Sequence, residues 1–107
     1  MDANFGNDEN VFENIQTKDE QRTKKPDLYK VIIYNDHYTT MEFVVEILEL
    51  VFHKSKDEAN NIMLDVHKKG KGVVGVFTFD IALTKISHVH HLAKENEFPL
   101  KCSYEKA

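Results

Sequence analysis

Residues 28–34 read Leu-Tyr-Lys-Val-Ile-Ile-Tyr, a run of β-branched and aromatic side chains that predicts a buried strand, with Pro26 just before it. Asn35-Asp36-His37-Tyr38 follows as a turn cluster. Thr39 and Glu42 stand three apart and predict a capping box, with Thr40 at the first helical position. In the helix that follows, Val44, Val45, Leu48 and Phe52 fall on one side. Phe43, Ile47, Leu50 and Val51 widen that face, so much of the helix is expected to be buried. Ser55 and Glu58 repeat the capping pattern. The second helix carries Ala59, Ile62, Met63 and Val66 at i, i+3, i+4 and i+7, and Gly70 stops it.

Residues 72–77 (GVVGVF) predict a second strand, in which Gly75 points to close approach of another backbone or to a bulge. Thr78 is placed to cap a third helix, with Asp80 in its first turn at the positive end of the dipole. Ile81, Ala82, Ile86, Val89 and Ala93 form its apolar side, with Leu92 nearby, and Asn96 and Pro99 end it. Leu100, Cys102 and Tyr104 alternate as a last short strand. The order β-α-α-β-α-β predicts an α+β domain: a three-stranded antiparallel sheet with helices packed on one face.

Composition divides the chain. The first 25 residues hold six hydrophobics (Met1, Ala3, Phe5, Val11, Phe12, Ile15), ten charges and no helical stripe, whereas close to half of the remainder is hydrophobic. Residues 1–25 are therefore expected to be a flexible extension, and residues 26–107 a single folded domain. A net charge of −4 and a pI of about 5.8 argue against a nucleic-acid binder, which needs a positive surface to displace counterions. No apolar run approaches the roughly 18 residues of a membrane span. The opening MDANFGNDENVFENIQ lacks the basic and apolar segments of a secretory signal, and the single cysteine permits no internal disulfide. A cytoplasmic location is the expectation.

Catalytic chemistry finds little support. No Gly-x-x-x-x-Gly-Lys loop is present, and Cys102 sits in an alternating strand, where a buried structural thiol is expected. His88, His90 and His91 could hold a transition metal, but Glu95 and Glu97, the carboxylates that would complete a site, lie at the helix end. A solvated, histidine-rich helix face accounts for them more simply. His53, near the end of the first helix, is explained by the negative dipole end there. His67 borders the apolar stripe of the second helix. If the first two helices pack side by side, His67 and the Asn35-Asp36-His37 turn converge on a pocket lined by Met41, Val44 and Met63. The alternative is that both methionines are core residues and His67 a surface histidine.

At these residues the chain resembles the ClpS family, adaptors of the ATP-dependent Clp protease. The resemblance runs from about Lys25 to Ala107 through YKVIIYND, YTTMEFVVEIL, IMLDVHKKGKGVVGVFTFDIALTKI and AKENEFPLKCSYEKA. It implies the same β-α-α-β-α-β domain with a mobile amino-terminal extension, no catalytic site and no cofactor. It also implies a monomer that binds proteins whose first residue is large and hydrophobic (Leu, Phe, Tyr, Trp) and hands them to the ClpA unfoldase, using the extension during the transfer. Asn35, Asp36, His37 and His67 then surround the α-amino group, and Thr39, Met41, Val44, Met63, Val66 and Leu100 form the pocket for the first side chain. Asp80 and Lys85 match positions that contact the unfoldase. Two positions depart from the usual Asn-Asp-Asp before Tyr-Thr-Pro-Met: His37 replaces the second Asp, and Thr40 replaces Pro. Two other readings remain: an unfoldase-docking modulator that does not read amino termini, and a histidine-rich metal-binding protein.

Overall fold

The computed structural model describes residues 25–107; the extension expected over residues 1–25 lies, but for Lys25, outside the described residues. Three strands and three helices follow in the predicted order: β1 (Leu28–Tyr34), α1 (Met41–Leu50), α2 (Lys56–Lys69), β2 (Lys71–Thr78), α3 (Phe79–Glu95) and β3 (Lys101–Lys106). β1 is central, pairing antiparallel with β2 on one side and β3 on the other. Val31 and Ile33 of β1 join Val74, Leu100 and Cys102 in one buried cluster with Phe43, Ile47 and Leu48 of α1, Ala59 and Val66 of α2, and Ala82, Ile86, Val89 and Ala93 of α3. The helices thus cover one face of the sheet, as the α+β expectation requires. Ile32, pointing to the other face, is buried but lies outside that cluster.

The register shifts between Val31, opposite Gly75, and Ile32, opposite Val73, so Val74 is the extra residue of a bulge. A Cβ on Gly75 would stand 2.8 Å from a ring carbon of Phe77, so the close approach is by a side chain and not by another backbone. Ser55 and Glu58 form the expected capping box, and Gly70 ends α2 at φ 91°. Thr78 occupies the N-cap of α3 but makes no side-chain cap bond.

Three expectations are corrected. The N-cap of α1 is Thr40, not Thr39: the Thr40 hydroxyl accepts from the Phe43 amide at 3.1 Å. The Asp36 carboxylate accepts from both the Thr39 amide (2.7 Å) and the Thr39 hydroxyl (2.7 Å), which occupies the amide that Glu42 would need for a capping box and binds Thr39 into the preceding turn. Leu50 is 60% exposed, because at about 100° per residue it falls just outside the arc spanned by Phe43 to Phe52. Ile81 is likewise exposed, about a quarter turn from the line of Ala82, Ile86, Val89 and Ala93.

Candidate functional site

The end of β1 positions the site. Tyr34 pairs with Lys71, and the Asn35 amide then donates to the Gly70 carbonyl at 2.9 Å, which ties the turn after β1 to the C-cap of α2. Asn35 is thereby brought beside the last turn of α2, which carries His67. Asp36 closes the turn: its Oδ1 accepts from the amides of Tyr38 (2.8 Å) and Thr39 (2.7 Å), and its Oδ2 from the Thr39 hydroxyl. Burial acts to raise the Asp36 pKa, but the bonds from Thr39 and Tyr38 and the neighbouring His37 outweigh it, and the carboxyl lies below its ordinary value. α1 starts two residues beyond Thr39 and packs beside α2.

Between the turn and these two helices lies a cavity of about 250 Å³. Asn35, Asp36, His37 and Thr39 form its polar wall, Met41 and Val44 come from α1, and Met63, Val66 and His67 come from α2. Val44 and Val66 are buried, Met63 is half-buried, and Met41 stands at the rim, 43% exposed. Both histidines are exposed. A site of this kind offers acceptors and a carboxylate at one end and four apolar side chains at the other. It suits a cation joined to a compact apolar group, and its volume is small beside drug-sized pockets of roughly 300–1,000 Å³.

Nine residues singled out from the sequence therefore meet at one cavity. Leu100 is not among its lining; it is buried in the cluster that also contains Val44 and Val66. Asp80 and Lys85 lie on α3, away from the cavity. Asp80 is exposed. The Lys85 ammonium donates to the Val51 carbonyl at 2.8 Å and sits 5.7 Å and 5.5 Å from the ring centroids of Phe52 and Phe77, so it ties α3 to the end of α1. Cys102 is buried, and burial pushes its pKa up to about 12, which makes it a poor nucleophile. His90 accepts from the Cys102 amide at 3.1 Å, and His91 lies 3.3 Å from Glu95. Among the described residues no group of three or more His, Cys, Asp or Glu side chains is arranged to hold a metal ion, and no helix is long and apolar enough to cross a membrane.

A second cavity, of about 480 Å³, adjoins the first between α1 and α2, sharing Met41 and Met63. Reading along the chain did not find it. Its signal is the spacing of Glu42, Glu46 and Glu49, which places three carboxylates along one side of α1.

The sequence model of the family described as "ATP-dependent Clp protease adaptor protein ClpS" matches residues 24–103. The chain is 52% identical over 97 residues to the ATP-dependent Clp protease adapter protein ClpS of Syntrophus aciditrophicus, covering 91% of each chain. It is 63% identical over 82 residues to the ClpS of Acetivibrio thermocellus, covering 77% of this chain and 83% of the relative. Among solved structures it is similar to Agrobacterium tumefaciens ClpS2 bound to L-phenylalaninamide, with a TM-score of 0.75 and 42% identity, covering 78% of this chain and all of the other. With one continuous match over most of the folded domain, the chain belongs to the ClpS family of ATP-dependent Clp protease adaptor proteins.

Proposed function

We propose that this adaptor binds proteins by a large hydrophobic amino-terminal residue and delivers them to a ClpA-type unfoldase, with no reaction of its own. The observation that carries the reading is one cavity that joins acceptors from the β1–α1 turn to apolar side chains from two helices. An α-ammonium, with a pKa near 8, presents three donors and no acceptor. Asn35 offers a carbonyl oxygen, and the His37 and His67 rings each carry a nitrogen able to accept. Asp36 adds a fixed negative charge, and its bonds to the turn hold the polar wall in place. Thr39, Met41, Val44, Met63 and Val66 receive the first side chain, with Leu100 supporting them from the core. The L-phenylalaninamide bound to the A. tumefaciens relative has this chemistry, an apolar ring beside a free α-amino group.

Delivery uses a different face. Asp80 and Lys85 on α3 contact the unfoldase's amino-terminal domain, and residues 1–25 take part in the transfer. The adaptor works as a cytoplasmic monomer, without nucleic acid, membrane or cofactor. The test is fluorescence anisotropy of a short labelled peptide beginning with Leu or Phe, against the same peptide acetylated at its amino terminus. Acetylation removes the cation and two donors, so the acetylated peptide should bind at least about tenfold more weakly. Equal binding of the two peptides would exclude amino-terminal recognition.

A further inference from the structure

The two edges of the sheet differ. On the β2 side the bulge at Val74 interrupts the ladder, and α2 packs so close that a Cβ on Gly72 would stand 2.9 Å from a methyl carbon of Val66. On the β3 side the register with β1 runs unbroken from Lys101 to Lys106. The Ala107 amide donates to the Leu28 carbonyl, so the odd-numbered residues of β3 bond to β1, and the backbone groups of Cys102, Tyr104 and Lys106 face outward. The outward amide of Cys102 is already taken: it donates at 3.1 Å to Nε2 of His90, an exposed side chain of α3.

We propose that His90 blocks this edge against strand addition, and that the strand it guards is complementary to β3 of a second copy of this chain. An antiparallel pair centred on Ser103 sets the outward groups of Cys102 against those of Tyr104 in the other copy, and the reverse. The same register sets Lys101 opposite Glu105 twice, on the face of the sheet away from the helices, where both side chains are exposed. Centring on Cys102 or Tyr104 keeps the backbone groups matched but parts Lys101 from Glu105, so charge selects the Ser103 register. With His90 in place both Cys102 amides are occupied. Half of the central cross-strand bonds then cannot form, and the imidazole stands where the second strand would lie. Without it the edge offers a regular row of donors and acceptors.

Ser103→Cys reports the pairing. Residues facing each other in a non-hydrogen-bonded antiparallel pair have Cα atoms about 4.5 Å apart, within disulfide reach. Cys102 is buried, with its pKa pushed up to about 12, and does not compete. Under mild oxidation, Ser103→Cys combined with His90→Ala should form a disulfide-linked dimer at least about tenfold faster than Ser103→Cys alone, because each restored hydrogen bond is worth a factor of several. His90→Gln, whose amide oxygen can accept from Cys102, should bring the rate back toward the slow one. Adding Glu105→Lys to the fast variant should slow it, and adding Lys101→Glu as well should restore it. Equal rates with and without His90→Ala, in variants whose circular dichroism matches the unmodified protein, would overturn the proposal. So would a fast rate that the charge reversals leave untouched.

Discussion

Met41 lines the pocket and is 43% exposed at its mouth. On the proposed reading a side chain there filters by shape, because a β-branched first residue carries its bulk at Cβ, next to the mouth. Met41→Ala should therefore admit peptides beginning with Ile or Val and reduce the preference for Leu by about 1 kcal/mol or more. Competition between Leu- and Ile-initiated peptides reads this directly, and an unchanged preference would remove Met41 from the gate. His37 stands in the polar wall of the same cavity, where a carboxylate would attract an ammonium directly, so His37→Asp should bind a Leu-initiated peptide at least as tightly as the unmodified protein near neutral pH, read by anisotropy. Asp36 acts on stability as well as on the site. Its pKa is lowered in the fold, so its contribution is present above the ordinary aspartate value and is lost as pH falls through the folded one. Asp36→Asn should thus lower the melting temperature near neutral pH, and the gap to the unmodified protein should close as the pH falls below the ordinary aspartate range.

The ends of the helices show where local structure carries avoidable cost. α3 stops with Glu97 at φ 61°, the Phe98 amide donating to Ala93 and the Glu97 amide to Lys94, so a non-glycine residue occupies the left-handed position of the helix stop. Holding a side chain there costs roughly 1–2 kcal/mol, partly offset by the greater freedom glycine has when unfolded. Glu97→Gly should therefore stabilise the domain by about 0.5–1 kcal/mol and raise Tm by a few degrees. Gly70, at φ 91° with nothing within 4 Å of where a Cβ would stand, gives the mirror experiment: Gly70→Ala meets no steric neighbour yet should destabilise through backbone strain alone. Because the Gly70 carbonyl also receives the Asn35 amide, that variant should weaken peptide binding as well. Calorimetry separates the two substitutions by sign.

On the proposed reading, the extension serves transfer and the folded domain serves binding. The apolar cluster draws on all three helices and all three strands of residues 25–107. Deleting residues 2–20 should leave Tm and peptide affinity nearly unchanged while slowing degradation of a model substrate by the unfoldase and its protease. A Tm lowered by many degrees would show that the extension belongs to the fold. Within the domain, Lys85 ties α3 to the end of α1: it donates to the Val51 carbonyl and lies over Phe52 and Phe77. Lys85→Ala should accordingly lower stability by about 1 kcal/mol, and Lys85→Arg should restore part of it.

Periodicity and punctuation are enough to read every element of the folded domain. Strand β1 is legible to the residue, because a β-branched run bounded by Pro26 and an Asn-Asp turn has one reading. Ser55 and Glu58 specify the start of α2, and Gly70 its end, since both signals act within four residues. The cap of α1 falls one position beyond the one that spacing indicates, because the competition between Asp36 and Glu42 for Thr39 depends on how the turn folds back, which spacing does not encode. The site divides in the same way. Its residue types are visible along the chain, but the meeting of Asn35 with His67 depends on the hydrogen bond from Asn35 to Gly70, which joins the turn after β1 to the end of α2. The withdrawal of Leu100 from the lining, the inward engagement of Lys85 and the acidic groove beside the pocket arise from contacts between segments distant in sequence, and these exist only once α1, α2 and α3 pack on the sheet.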